Sequence, residues 1–199
     1  MSSAEVVIID SGGANLASLQ YALERLGAHS AVSIDPQVIA AAPRVLLPGV
    51  GAAADAMRRL ANAGLTQLIP QLRQPLLGIC LGMQLLFSHS AEGDTPCLGV
   101  ISGKLERLQS VPGRPVPHMG WNTLTVLEPD ALLSGIGATD YVYFVHSYAA
   151  AVHPSTIATV EYGAALTAVV RQGNFYGVQF HPERSSAVGA RLLRNFLQL

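Results

Sequence analysis

The chain has 199 residues, of which 50% are hydrophobic and 13% are charged, and its formal net charge is −1. This composition favours one well-packed domain over residues 1–199 and argues against long disordered segments and against nucleic acid as a partner. The two cysteines are too few for a disulfide scaffold. No apolar run approaches the ~18 residues of a membrane span, and no basic signal-peptide start is present, so we expect a cytoplasmic protein.

The first half of the chain alternates apolar runs with helical patterns. Three short apolar runs predict buried strands: 6–9, 45–47 and 76–79. Helical patterns follow them at Leu16–Leu26, through Met57 and Leu60, and at Met83–Phe87. Continuous apolar strands that alternate with helices predict an α/β fold with an open, mainly parallel twisted sheet, flanked by helices.

The second half of the chain, from about Gly99, has a different pattern. Five strand-like segments follow one another with short connections: 123–127, 141–145, 156–160, 166–170 and 176–180. We therefore expect some antiparallel strands in this half. Apolar side chains between Leu192 and Leu197 form the stripe of a closing helix.

A cysteine lies between two glycines where the third predicted strand meets a helix, in the segment Gly78–Gly82. This spacing is that of a nucleophile elbow, with sulfur in place of oxygen. Glycine suits such a tight turn, and the helix N-terminus favours the thiolate of Cys80. Taken alone, the pattern more often marks an inert buried cysteine.

A candidate base and its orienting group follow the last predicted strand. His181 comes directly after 176–180, and Glu183 is close enough to fix the imidazole tautomer. The Pro48–Gly51 turn also follows a strand. Because ligands bind beyond the carboxyl ends of parallel strands, we expect all three segments to meet at one edge of the sheet.

These motifs resemble those of the class I (triad) glutamine amidotransferases. The resemblance rests on Gly78–Gln84 and Gln179–Glu183, and it extends along essentially the whole chain. Three further stretches are similar to the glutaminase subunits of imidazole glycerol phosphate synthases: Pro48–Gly51, Pro117–Asn122 and Tyr143–Tyr148. The resemblance implies a flavodoxin-like amidotransferase fold and hydrolysis of L-glutamine to glutamate and ammonia through a glutamyl thioester.

The resemblance also implies roles for individual residues. Cys80 is the nucleophile, His181 the acid and base, and Glu183 the group that orients His181. Val50 and Leu81 would supply the oxyanion-hole N–H groups, after a rearrangement of the Pro48–Gly51 loop. The implied glutamine-binding residues are Gly49, Gly51, Gln84, Ser147 and Tyr148. No His, Cys, Asp and Glu set has metal-ligand spacing, so we expect neither a metal nor another cofactor.

The implied partner is a cyclase subunit with a (β/α)8 barrel, which would form a heterodimer with this chain and receive the ammonia. Asn15, Met119 and Trp121 match interface positions of the family. Core packing is an equally good explanation for Trp121, the single tryptophan. His118, His146 and Cys97 receive no functional role.

Two alternative functions remain open at this point. The chain could be the glutaminase subunit of another synthase, of anthranilate, aminodeoxychorismate, guanylate or pyridoxal phosphate synthesis. It could also be a stand-alone cysteine hydrolase or a non-catalytic binding module. The stretch Pro117–Asn122 argues against the first, and the complete set of Cys80, His181 and Glu183 argues against a non-catalytic module.

Overall fold

The computed structural model describes residues 5–12 and 16–199 of the chain. In chain order, the strands of the first half are β1 (Val6–Ile9), β2 (Ser30–Ser33), β3 (Val45–Gly49), β4 (Leu76–Cys80), β5 (Phe87–Ser90), β6 (Thr95–Pro96) and β7 (Ile101–Arg107). Those of the second half are β8 (His118–Thr123), β9 (Thr125–Val126), β10 (Tyr141–His146), β11 (Tyr148–Ala150), β12 (Thr156–Glu161), β13 (Ala165–Gln172) and β14 (Phe175–Val178). The helices are α1 (Leu16–Glu24), α2 (Pro36–Ala41), α3 (Ala53–Asn62), α4 (Leu65–Leu68), α5 (Leu81–Leu85) and α6 (Ser186–Phe196).

The main sheet has eight strands in the order β2-β1-β3-β4-β14-β13-β12-β9. Its first five strands are parallel, and their order is that of flavodoxin-like sheets. The strands from β13 onward pair antiparallel. The expected α/β fold, mainly parallel in the first half with antiparallel strands in the second, is therefore confirmed.

Two smaller sheets lie outside the main one. Strands β8 and β10 form an antiparallel ribbon that pairs His118 with His146 at one end and Thr123 with Tyr141 at the other. The second sheet has the order β11-β7-β5-β6. Because the β8–β10 and β7–β11 pairings join segments distant in sequence, neither sheet follows from local patterns alone.

Two predicted elements are wrong in their bounds. The predicted strand 123–127 is two strands in different sheets, with the buried Leu124 between β8 and β9. The predicted helix 83–87 is the five-residue helix α5, and Phe87 already begins β5. All five residues of α5 are buried, so its apolar run has no periodic face that separates helix from strand.

Apolar cores cover both faces of the main sheet. Alternate residues of β1 point to opposite faces, with Val6 and Ile8 in one core and Val7 and Ile9 in the other. Helices α1 and α6 contribute to the first core, and α3 contributes to the second. This packing fixes the carboxyl ends of β3, β4 and β14 side by side.

Candidate active site

Cys80 lies at the junction of β4 and α5, in a backbone conformation that side-chain-bearing residues rarely adopt. Its φ is 53° and its ψ is −112°. The flanking glycines are required by close packing. A Cβ on Gly78 would lie 2.7 Å from the carbonyl oxygen of Gly82, and one on Gly82 would lie 1.6 Å from that of Leu47. The sharp strand-to-helix turn expected from the sequence is present, and it holds the thiol at the sheet edge.

His181 follows β14 and is fixed through its backbone. Its N–H donates to the carbonyl of Tyr143 at 2.9 Å, and its own carbonyl accepts from the Ser185 hydroxyl at 2.7 Å. Its Nδ1 lies 2.8 Å from the Glu183 carboxylate. A carboxylate can only accept, so Nδ1 carries the hydrogen and Nε2 is left for chemistry. This Nε2 is buried, and the interaction of the imidazole with Cys80 stabilises its charged form.

Neighbouring charges favour the protonated form of His181. Burial lowers the pKa of the imidazole, but hydrogen bonds and charge attraction from Cys80 and Glu183 outweigh it and raise the pKa to about 10. At neutral pH the imidazolium is therefore stabilised beside the sulfur. An imidazolium beside a cysteine sulfur favours the thiolate, which is the form in which a cysteine acts as a nucleophile.

A cavity of about 300 Å³ opens over the sulfur of Cys80. Most of the predicted glutamine-binding and oxyanion residues line it together with Cys80 and His181: Val50, Gly51, Leu81, Gln84, Ser147 and Tyr148. Gly49 and Glu183 line a smaller adjoining cavity of about 70 Å³ instead. Val50 and His181 line both cavities. The Pro48–Gly51 turn, Cys80 and His181 therefore meet at one edge of the sheet, as the parallel strands predicted.

Gln84 is held by two acceptors in the wall of the larger cavity. Its Nε2 donates to the carbonyl of Tyr148 at 3.0 Å and to the side-chain oxygen of Gln179 at 2.9 Å. Gln84 is buried although it is polar, and both bonds join it to segments distant in sequence. The first turn of α5 is in this way tied to β11 and to the end of β14.

Glu92 lines the same cavity and was not predicted from the sequence. One oxygen of its carboxylate accepts a hydrogen bond of 2.7 Å from the N–H of Ala53, the first residue of α3. A negative charge is favourable at a helix N-terminus, so Glu92 anchors the chain just after the Pro48–Gly51 loop. It belongs to a short acidic turn with no distinguishing motif, and only the fold brings it to the site.

A buried pair of histidines adjoins the cavity, where the sequence predicted no role. Nδ1 of His146 donates to the carbonyl of Tyr148 at 2.9 Å. Nε2 of His146 therefore accepts from Nδ1 of His118, at 3.0 Å. Burial lowers the pKa of both imidazoles to about 4, so both are neutral at pH 7. The pair connects the β8–β10 ribbon to Tyr148, one of the predicted glutamine-binding residues.

The predicted interface residues Met119 and Trp121 lie on the outer surface of the ribbon. Their side chains are 66% and 53% exposed, so the core-packing explanation for Trp121 is wrong. Trp121 makes an edge contact with Tyr143, and the guanidinium of Arg184 lies 5.2 Å from the centroid of the Tyr143 ring. Asn15 lies outside the described residues.

The described part of the chain carries neither a metal cluster nor a membrane-spanning helix. Across residues 5–12 and 16–199, no group of three or more His, Cys, Asp and Glu side chains could hold a metal ion. No helix in the same ranges is long and apolar enough to span a membrane. Burial and the charge of Glu92 raise the pKa of the second thiol, Cys97, to about 11, so this thiol is unreactive at neutral pH.

Comparison with known proteins identifies the family. Residues 7–199 match the family described as glutamine amidotransferase class-I. The chain belongs to the class I glutamine amidotransferases. The resemblance seen in the sequence is thereby confirmed, and so is the expectation that the protein is a glutamine amidotransferase enzyme.

Relatives within this amidotransferase family match the chain over nearly its full length. It is 51% identical over 195 residues to the imidazole glycerol phosphate synthase subunit HisH of Xylella fastidiosa, covering 98% of each chain. It is 52% identical, with the same coverage, to the subunit of that name from Xanthomonas campestris pv. campestris.

Two solved structures support the fold. A crystal structure described as glutamine amidotransferase superimposes with a TM-score of 0.76 at 23% identity, covering 98% of this chain and 97% of that one. The structure of PurLQS from Thermotoga maritima gives a TM-score of 0.73 at 19% identity and 99% coverage of both chains. At these identities the likeness concerns the fold alone.

Proposed function

We propose that the chain is the glutaminase subunit of an imidazole glycerol phosphate synthase, acting as one amidotransferase domain over residues 1–199. It hydrolyses L-glutamine to glutamate and ammonia in the cytoplasm, for histidine biosynthesis. The observation that carries the proposal is the strained Cys80 beside the His181–Glu183 pair, in a cavity of about 300 Å³. Full-length identity above 50% to subunits named HisH supports the choice of synthase.

The first half of the reaction is formation of the thioester. The thiolate of Cys80 attacks the side-chain amide carbon of glutamine and forms a tetrahedral intermediate. His181 then gives the proton on Nε2 to the amide nitrogen, the C–N bond breaks, and ammonia leaves. Glu183, bonded to Nδ1 at 2.8 Å, keeps the imidazolium oriented throughout this transfer.

Hydrolysis of the thioester reverses the role of His181. The imidazole, now neutral, takes a proton from water through Nε2, and the resulting hydroxide attacks the acyl carbon. The C–S bond breaks, glutamate leaves, and the proton on His181 again faces a thiolate. The raised pKa of His181 restores the starting ion pair after each turnover.

Backbone N–H groups of Val50 and Leu81 would stabilise the oxyanion in both steps. Leu81 follows the nucleophile, the usual position of one such donor. Val50 lies between Gly49 and Gly51, and Gly51 has a φ of 89° that few other residues adopt. The loop has the conformational freedom to rearrange, which makes activity dependent on the partner.

Recognition of glutamine falls to the other walls of the cavity. Gly51, Gln84, Ser147 and Tyr148 line the larger cavity and would contact the amino-acid end of the substrate, and Gly49 lines the smaller cavity beside it. We assign Glu92 a role there too, because its carboxylate faces the cavity and is complementary to an α-ammonium group.

The partner in this proposal is a (β/α)8-barrel cyclase subunit, bound as a heterodimer. Exposed Met and Trp side chains suit a protein interface, so we place Met119 and Trp121 in it, along with Asn15. Ammonia formed at Cys80 would reach the smaller cavity by passing between Val50 and His181, which line both.

Substitution of the nucleophile tests the proposal. Cys80→Ala should abolish glutamate release from glutamine while the circular dichroism spectrum and binding to a cyclase subunit persist. The complex of this variant with the cyclase should still form imidazole glycerol phosphate when free ammonia is supplied. Retained glutaminase activity would refute the nucleophile, and failure with ammonia would refute the division of labour between subunits.

A further inference from the structure

Gln179 is a fully buried polar residue between the nucleophile and the substrate-binding Gln84. It follows β14, and its backbone N–H donates to the carbonyl of Ala168 at 2.8 Å. Its side-chain amide has a partner at each end. Nε2 lies 3.7 Å from the sulfur of Cys80, and Oε1 lies 2.9 Å from Nε2 of Gln84.

The direction of this hydrogen-bond chain is fixed at its far end. The carbonyl of Tyr148 can only accept, so the Gln84 atom 3.0 Å from it must be the amide nitrogen. The same nitrogen lies next to Gln179, whose facing atom must then be its oxygen. The nitrogen of Gln179 is left to face the sulfur of Cys80.

Both ends of this series of hydrogen bonds, at Gln84 and at Cys80, affect the chemistry of the site. The two amide hydrogens of Gln84 are used by Tyr148 and Gln179, so Gln84 offers the cavity only its carbonyl oxygen, an acceptor suited to an ammonium group. At the other end, the Cys80 thiol lies 3.8 Å from the carbonyl of Val145, to which it can donate only while protonated. The N–H of Gln179 becomes the stronger partner once the sulfur is a thiolate.

We propose that Gln179 is a further catalytic residue, whose amide N–H stabilises the thiolate of Cys80 and whose oxygen holds Gln84 in the orientation that receives substrate. The proposal deepens the glutaminase function and rests on it for the second role. The first role concerns the thiol alone and is measurable without glutamine. A residue that merely fills the core would affect neither thiol reactivity nor substrate recognition.

Two substitutions separate the roles. Gln179→Glu keeps an oxygen toward Gln84 but places an acceptor instead of a donor at the sulfur. Gln179→Met fills a similar volume and removes both interactions. Gln67→Glu, on the exposed surface, is the matched control for the charge.

The experiment is the pH dependence of iodoacetamide alkylation at Cys80 in the full chain, followed by mass spectrometry of its peptide. The acid limb should move up by about one pH unit in Gln179→Met, as expected for loss of a charge-assisted hydrogen bond. It should move up further in Gln179→Glu, because the carboxylate also repels the thiolate, and it should stay unchanged in Gln67→Glu. Cys97 is the internal reference because its pKa is about 11. The other titratable groups lining the cavity are unaltered in every variant: Glu92, His146, Tyr148 and His181.

Glutaminase kinetics with the cyclase subunit test the second role. The kcat should fall at least tenfold in both Gln179 variants, and KM for glutamine should rise only in Gln179→Met. Unchanged alkylation profiles in folded variants would overturn the proposal even if the wild-type chain hydrolyses glutamine. A shifted profile in a chain that hydrolyses no glutamine would instead refute the proposed function.

Gln179→Met also lacks the amide N–H group. If Gln179→Glu does not fold, this variant alone therefore tests whether that N–H stabilises the thiolate of Cys80. If neither variant folds, the side-chain amide of Gln179 in the unaltered chain can be followed by NMR. Its resonances should move with the same pH midpoint as Cys80 alkylation, and resonances that do not follow it would refute the proposal.

Discussion

Gly82→Ala tests whether the position of Cys80, the proposed nucleophile, depends on close backbone packing behind it. Gly82 lies in the first turn of α5, against the carboxyl end of β3. A Cβ built there would be 1.6 Å from the carbonyl oxygen of Leu47, whereas real Cβ contacts essentially never fall below 3.0 Å. Because the obstacle is backbone in the central sheet, no side-chain rotation can relieve it.

The loss in free energy of unfolding can be judged from this distance of 1.6 Å. The helix and strand must separate by about 1.4 Å, which exceeds the adjustments behind the usual overpacking cost of about 1–3 kcal/mol. We expect a loss of at least about 3 kcal/mol, a large part of a total stability of about 5–15 kcal/mol. At about 2–4 °C per kcal/mol, the melting temperature should fall by roughly 6–12 °C.

Urea denaturation and thermal melting measure the effect, and Gly137→Ala is the control. Gly137 has open space around its missing Cβ and no unusual φ, so alanine should change the free energy of unfolding by less than about 0.5 kcal/mol. Glutaminase activity should disappear in Gly82→Ala, since the movement displaces Cys80. A Gly82→Ala protein as stable as Gly137→Ala would refute the proposed role of the glycine.

Three other substitutions test the surroundings of the site. Burial lowers the pKa of His118 and His146 to about 4, so the free energy of unfolding should fall as the pH is lowered from 6.5 towards 4. His118→Phe should make this pH dependence shallower. An unchanged pH dependence would contradict the depressed pKa of His118. Trp121→Ala should weaken cyclase binding at least about tenfold in titration calorimetry. Because the side chain is exposed, it should change the free energy of unfolding by less than about 1 kcal/mol. A larger effect on the free energy of unfolding than on cyclase binding would indicate a packing role. Ser185→Ala removes the hydroxyl that donates to the carbonyl of His181 at 2.7 Å, and should cost about 1–3 kcal/mol in urea denaturation and lower kcat. A Ser185→Ala enzyme with unaltered kcat would show that this bond does not position the histidine.

The placement of Cys80, His181 and Glu183 at one edge of the sheet was predictable from local sequence. The elbow around Cys80 needs an apolar strand, a helical pattern and two glycines, all within about ten residues of one another. His181 and Glu183 are two residues apart and follow a strand. The rule that parallel strands present their carboxyl ends at one edge then brings Cys80 and His181 together without any knowledge of the packing.

The supporting residues were not predictable because their partners are distant. Gln179 is 99 residues from Cys80 and 95 from Gln84, and Glu92 is 39 from Ala53. No periodicity marks such pairs, and the small sheets that carry His146 and Tyr148 depend on the same long-range pairing. Tertiary structure alone determines which buried amide meets which sulfur.

The exposure of Trp121 was likewise not predictable from the sequence. A lone tryptophan in a strand pattern suits a core and an interface equally well. Strand β8 pairs with β10 in a two-stranded ribbon outside the main sheet, so one face of that ribbon can remain uncovered. The sequence of β8 contains no signal for this separation.

The most direct test of the proposed glutaminase-subunit function is glutamate release from glutamine by the purified chain, alone and with a cyclase subunit plus its ligand. We expect weak release by the chain alone and strong stimulation by the liganded cyclase, because the Pro48–Gly51 loop must rearrange to complete the oxyanion hole. Equal release in both conditions would identify an independent hydrolase. No release in either condition would contradict the assignment to this synthase.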